Sequence, residues 1–151
     1  MNRFRIRFLV PFLVCVPALL SGAADTASPV GFWKNADATF QIFESEGRLG
    51  GKIIEIKEPR TPEGKDKTDI HNPDPSKRER PIIGLVFMSG FNRKSDTRWE
   101  DGRIYDPKSG NTYTCSMELD GPEKIKVRGF IGISLIGRTQ IWTRAGTNGQ
   151  P

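Results

Sequence analysis

Residues 124–144, KIKVRGFIGISLIGRTQIWTR, decide the fold. Ile125, Val127 and Ile131 alternate with Lys124, Lys126 and Arg128. That is the period of a β-strand with one buried face. Gly129, Gly132 and Gly137 interrupt the run, as glycines do where a strand bends or bulges at the corner of a barrel. Residues 138–144 then read as a second, returning strand that ends the fold.

Working outward, the rest of the chain repeats this grammar. Residues 30–34 (VGFWK) read as a short strand, broken at 35–37. Residues 38–44 alternate, with Phe40 and Ile42 on one face and Thr39 and Gln41 on the other. Ser45-Glu46-Gly47 is a tight turn into a strand over 48–57, so 38–57 form a hairpin. Residues 81–90 (PIIGLVFMSG) are the most apolar strand candidate, followed by a polar turn over 91–97. Asp101-Gly102 reads as a hairpin turn between Trp99 and Ile104-Tyr105. Residues 106–110 (DPKSG) form another turn. Along 111–119, Tyr113, Cys115, Met117 and Leu119 share one face, and Thr112, Thr114, Ser116 and Glu118 the other. No helix-period stretch of useful length occurs after residue 24.

Residues 58–80 differ in kind. Twelve of these 23 residues are charged, six of each sign, four are proline, and Ile70 is the one large aliphatic. Such a segment builds no core of its own. Asp74-Pro75 before SKRER predicts one helical turn, with Asp as N-cap and Pro at N1. A connection this long is uncommon in a compact domain and is either a functional loop or an insert.

The chain has 151 residues and a formal charge of +5. Residues 1–24 have the layout of a secretory signal peptide: Arg3, Arg5 and Arg7, an apolar run over 8–20, then Ser21-Gly22-Ala23-Ala24 at the cleavage site. That run is 13 residues interrupted by Pro11 and Pro17, whereas a membrane span needs about 20. The expectation is therefore export with cleavage, a periplasmic or secreted location, no stable membrane insertion, and one domain over 25–151. Cys15 follows Val14 inside the apolar run and reads as part of the leader, not as a lipidation site. Cleavage leaves Cys115 as the only cysteine, which excludes an intramolecular disulfide, so the core must hold the fold. It also leaves 20 Lys and Arg against 18 Asp and Glu. A net +2 of mixed sign describes a solvated surface, with no call for nucleic acid as a partner.

About eight strands joined mostly by short turns must bury one face, by packing on a second sheet or by closing on themselves. Eight suit a small barrel that fills its interior or holds one small ligand. The expected fold is all-β: an antiparallel up-and-down barrel with one long charged loop, its first and last strands paired to remove the edges. Gly31-Phe32-Trp33 near the start and Ile141-Trp142-Thr143-Arg144 near the end resemble the lipocalin pattern. There, a Gly-x-Trp on the first strand packs at the closed end under an arginine from the end of the chain. The resemblance implies closed-end packing of Gly31, Trp33, Trp142 and Arg144.

A closer resemblance is to an exported bacterial family, domain of unknown function 2147. It rests on an ordered series: Gly31-Phe32-Trp33; Gly50-Gly51-Lys52-Ile53; Asp69-Ile70-His71-Asn72-Pro73; Arg80-Pro81-Ile82-Ile83-Gly84-Leu85; Trp99 through Pro107; Gly110-Asn111-Thr112-Tyr113; and Arg128-Gly129-Phe130-Ile131-Gly132 through Arg144. It implies a secreted or periplasmic lipocalin-like barrel and brings no activity, cofactor or catalytic residue.

Candidate chemistry is sparse. Asp69, His71, Asn72 and Asp74 cluster in the charged loop and could bind a metal or move a proton. One histidine without a thiolate is a thin ligand set, the Ca²⁺-loop spacing is absent, and Asn-Pro-Asp-Pro is ordinary turn chemistry. Cys115 lies on an apolar face and reads as a small packed hydrophobe. Ser134 sits in no nucleophile elbow. Arg138, Gln140, Trp142 and Arg144 share one face of the last strand, and the residues alone do not say which face is inside. Arg128, Arg138 and Arg144 lie on or beside the last strands, and one of them facing inward could meet an anionic head group. Phe40, Ile53, Trp99, Tyr113 and Met117 are the expected inward residues and candidate ligand contacts. The leading expectation is a non-enzymatic barrel for a small apolar or amphipathic ligand, with no cofactor and no metal. The alternatives are an envelope interaction module with a filled core that uses 58–80, and an enzyme using His71 with Asp69 or Asp74.

Overall fold

The structure, a computed structural model, describes residues 28–130 and 137–146. The leader with Cys15, and the stretch 131–136 with Ile131, Gly132 and Ser134, lie outside the described residues. Eight strands follow one another: β1 Gly31–Lys34, β2 Ala38–Ser45, β3 Arg48–Ile56, β4 Val86–Arg93, β5 Arg98–Asp106, β6 Asn111–Leu119, β7 Lys124–Phe130 and β8 Gly137–Arg144. Each pairs antiparallel with its neighbour in chain order, and β1 returns to β8 to close the barrel. Trp33 pairs with Arg144 and Lys34 with Thr143 across that seam. The alternation read from β6 sets its faces: Cys115, Met117 and Leu119 are buried, while Thr112, Thr114 and Glu118 are exposed.

The interior is filled by large side chains. The Phe40 ring stacks on Trp142 with centroids 4.3 Å apart, and Phe87 tilts against Phe40 at 5.1 Å. Ile42, Met88, Phe91, Met117 and Ile125 are almost completely buried beside them. At about 25 cal/mol per Å² of apolar surface removed from water, such side chains each stabilise by roughly 2 kcal/mol. Burial of this kind holds the barrel, which has no disulfide among the described residues.

Three expectations need correction. The strand placed at 81–90 runs from Val86 to Arg93 instead. Pro81 has no N–H for a ladder, Gly84 takes φ +89°, and the Leu85 N–H turns back to the Ile82 carbonyl. Ile82 and Leu85 are still buried, so the apolar signal was one of burial and not of strand. Phe91, assigned to a polar turn, is fully buried within β4. Asp101-Gly102 makes no hairpin: β5 runs through it, with Asp101 at φ +61° and a register shift between Trp99 and Gly102. The cause is the Phe91 ring, which occupies the space a Cβ on Gly102 would need. The backbone bulges so that ring and strand can approach.

The charged connection between β3 and β4, residues 57–85, is pinned to the barrel as a strap. It folds on itself through bridges from Thr68 to Pro81 and from Arg60 to Asp66, and the Gly84 N–H donates to the Ile53 carbonyl of β3 while the Ile53 N–H donates to the Leu85 carbonyl. Its one helical turn is a 3-10 segment, Pro75–Lys77, capped by Asp74, whose Oδ1 accepts from the Ser76 N–H and hydroxyl at 3.0 and 2.7 Å. The Ser76 hydroxyl, then Lys77 and the Ser76 N–H, hold the Asp74 carboxyl down to about 2.

Candidate functional site

Three places bear on function: the closed end, the opposite mouth, and the clasp of the strap. At the closed end Gly31 takes φ +135°, and a Cβ there would sit 3.1 Å from Arg144 Nη1. The missing side chain leaves room for the guanidinium, whose carbon lies 4.2 Å from the Trp33 ring centroid. Arg144 donates to the carbonyls of Pro122 and Ser28, each at 2.7 Å. The buried Trp33 indole N–H donates to the Pro29 carbonyl at 2.7 Å. Trp142 lies one rung further in, stacked on Phe40 and not under Arg144. A cavity of about 200 Å³ opens nearby, bordered by Val30, Glu44, Leu49, Arg93 and Trp99.

The burial of Trp142 settles the direction of β8. No register shift occurs between β7 and β8, so Gln140 and Arg138 share its inward face. Both are exposed, so this face of β8 passes from buried at Trp142 to solvent-facing at Gln140 and Arg138. Gln140 Oε1 accepts from the Trp142 indole at 2.9 Å and from Asn35 at 3.0 Å. Arg138 pairs with Gly129 across the ladder. A Cβ on Gly129 would meet Ile104 at 3.5 Å and Tyr113 at 3.8 Å. The mouth is thus amphipathic: half-buried Ile104 and Tyr113 on one side, Arg138 and Gln140 on the other, and rings of Phe40, Phe87 and Trp142 below. Of the residues expected to face inward, Phe40, Ile53, Trp99 and Met117 are packed core. Tyr113 is the half-buried one.

The clasp joins the strap to β5 at the same end. Asp69 is fully buried. Its Oδ1 accepts from the Tyr105 hydroxyl at 2.6 Å. Its Oδ2 accepts from Asn72 Nδ2 at 2.8 Å and from Arg80 Nε and Nη2 at 3.0 and 2.9 Å. Burial alone would raise the Asp69 pKa, but the hydrogen bonds from Tyr105, Asn72 and Arg80, with the charge of Arg80, outweigh it and hold the group below its ordinary value. Burial and the Asp69 acceptor push the Tyr105 hydroxyl up to about 12. The structure thus brings Asp69 and Asn72 together but leaves His71 exposed. Among the described residues no hydrogen bond joins His71 to Asp69 or Asp74, and no three acidic, histidine or cysteine side chains gather as a metal site. Burial raises the Cys115 thiol to about 12, far from the thiolate a nucleophile needs. Sequence reasoning missed Tyr105 and Arg80 as the partners of Asp69, although both lie in the segments that carry the family resemblance.

This geometry defines a lipocalin-like barrel: closed, eight-stranded, antiparallel, up-and-down. The chain belongs to the bacterial family described as "Uncharacterized protein conserved in bacteria (DUF2147)", matched over residues 31–144. Among solved structures it is similar to HP1028 from the human pathogen Helicobacter pylori, described as belonging to the lipocalin family. The TM-score is 0.71 at 20% identity, covering 80% of this chain and 84% of that one. Comparison with curated proteins finds no match.

Proposed function

We propose that the protein is an exported, non-catalytic barrel that takes a small amphipathic ligand at its mouth, with an anionic head group on Arg138. The lipocalin-like fold is consistent with ligand binding. The carrying observation is the change along one face of β8, from Trp142 at 1% exposure to the exposed Gln140 and Arg138. A guanidinium on the inner face offers a fork to a carboxylate, and the half-buried Ile104 and Tyr113 offer apolar surface beside it. Because Phe40, Phe87 and Trp142 fill the space below, the ligand lies across the mouth and does not descend into a deep cup.

The test is displacement of a fluorescent fatty acid from purified protein lacking residues 1–24. Saturable uptake is expected, weakened about tenfold by Arg138→Ala, since a charge-assisted hydrogen bond contributes roughly 1.5–3 kcal/mol. Absence of saturable uptake defeats the reading. Export is tested by the mass of the protein recovered from the periplasm or medium: a chain beginning near Asp25 is expected, and a full-length cytosolic product would refute it.

A further inference from the structure

Half of β8 has a neighbour on one side only. β7 pairs with it along residues 137–143. On the other side β1 is four residues long and pairs with it at Arg144 and Thr143. Two main-chain hydrogen bonds fix the direction of the remaining groups. The Arg144 N–H donates to the Glu123 carbonyl on the β7 side, and the Ala145 N–H to the Phe32 carbonyl on the β1 side. Successive residues of a paired strand bond to opposite sides, so Gly137, Thr139 and Ile141 direct their N–H and C=O toward the β1 side. Among the described residues no strand stands there. The β1–β2 turn reaches this part of β8 through the Asn35 amide, which donates to the Gln140 side chain at 3.0 Å and leaves the main chain free. Residues 137–141 are all exposed, although the strand belongs to a closed barrel.

A row of main-chain donors and acceptors at strand spacing is complementary to another extended peptide backbone. The side chains narrow the choice. Trp142 is buried, so Arg138 and Gln140 share the inner side, and Thr139 and Ile141 the outer. Arg138 makes no ion pair among the described residues. Ile141 is 57% exposed. A strand that suits both carries a carboxylate opposite Arg138 and an aliphatic side chain opposite Ile141. An inward-pointing charge on an edge also restricts what can pair with it.

We infer that the free edge of β8, residues 137–141, docks an extended segment of a second protein, acidic on one side and aliphatic on the other, which joins the sheet antiparallel to β8. A second copy of this chain fits less well. Pairing β8 with itself about Thr139 would set the chain ahead of the copy's residue 137 against Thr143, which Lys34 already pairs. A lone strand can begin opposite Ile141 and meet no such obstacle. The edge shares Arg138 with the proposed ligand of the mouth and otherwise stands apart from that reading.

The probe is the acetylated, amidated peptide Val-Thr-Val-Glu-Val, titrated into the purified chain lacking residues 1–24 and followed by NMR. Without peptide, the Thr139 and Ile141 amides should exchange rapidly, while those of Arg138 and Gln140, bonded to β7, are protected. Saturable binding with a Kd below about 1 mM should slow exchange at Thr139 and Ile141 at least tenfold. N-methylation of the central valine, whose N–H faces Thr139, should weaken binding at least tenfold. N-methylation of the glutamate, whose N–H faces away, should change it less than threefold, and lysine in place of that glutamate should weaken it at least fivefold. On the protein, Thr139→Pro removes an N–H from the free edge and spares the ladder to β7, and should weaken binding at least tenfold. Thr139→Val keeps the N–H and should change it less than twofold. Equal effects of the two N-methylations, indifference to the glutamate, no saturable binding, or self-association that protects Thr139 and Ile141 without peptide would each overturn the inference.

Discussion

At one end of the barrel a guanidinium lies on an indole and gives its protons to backbone carbonyls. At the other a buried carboxylate accepts hydrogen bonds from a phenol, an amide and a guanidinium. Both fasten an irregular segment to the strands, the N-terminal lead-in at the first end and the strap at the second. They differ in what can undo them. The acceptors at the closed end are backbone carbonyls, which do not titrate, so that end lacks the acid-sensitive carboxylate of the other. Asp69 does titrate. Its pKa is lowered in the folded protein, so its contribution to stability is complete above the unfolded value of about 3.9 and is lost as pH falls through the folded one. One end is sealed permanently; the other is held by a bond that protons can release, beside the mouth.

The sharpest way to break this contrast is Arg144→Ala. It removes the stacking on Trp33 and the hydrogen bonds to carbonyls, at an expected cost of about 3 kcal/mol of global stability in urea unfolding. The loss should be the same at pH 7 and pH 4. Next comes Gly110→Ala, at a position with φ +72° where an added Cβ would collide with the His71 carbonyl of the strap. It should cost about 2 kcal/mol and make the strap more readily cut by trypsin at Lys65, Lys67 and Lys77. Asp69→Asn should cost about 2 kcal/mol, with hydrogen exchange accelerated over 66–82 while β6 and β7 keep their protection. In the parent, lowering the pH from 4 toward 2 should loosen the same segment before the barrel, whereas the variant should show no such step. Tyr105→Phe is the mildest, at about 1.5 kcal/mol. It should move the acid-induced loosening to higher pH, because one donor to the carboxylate is gone. A strap that loosens in step with the barrel in every case would erase the distinction between the ends.

The legible parts of the fold were those in which local chemistry settles the outcome. Residues 111–119 alternate between two glycine-bearing turns, and the strand fits that range. The Asp74 cap and Pro75 define their helical turn within four residues. Asp101-Gly102 misleads because a hairpin and a bulge ask for the same positive φ, and only the distant Phe91 ring decides between them. Asp69 reads as a turn former because its partners Tyr105 and Arg80 lie 36 and 11 residues away. The face of β8 was illegible because both its faces mix polar and apolar residues, and only stacking against Phe40 fixes Trp142 inside.

The seam also sets the order in which the barrel can close. Val30 and Arg144, joined across it, are separated by 114 residues, and the β1–β8 ladder has just two paired rungs. The opening strand therefore has to wait, unpartnered on one side, until the eighth has been synthesised. Hairpins can form early, but completion is a late, long-range event with the slow kinetics of distant contacts. A ribosome-bound chain halted before residue 137 would hold an open, curled sheet whose exposed border invites pairing with other chains.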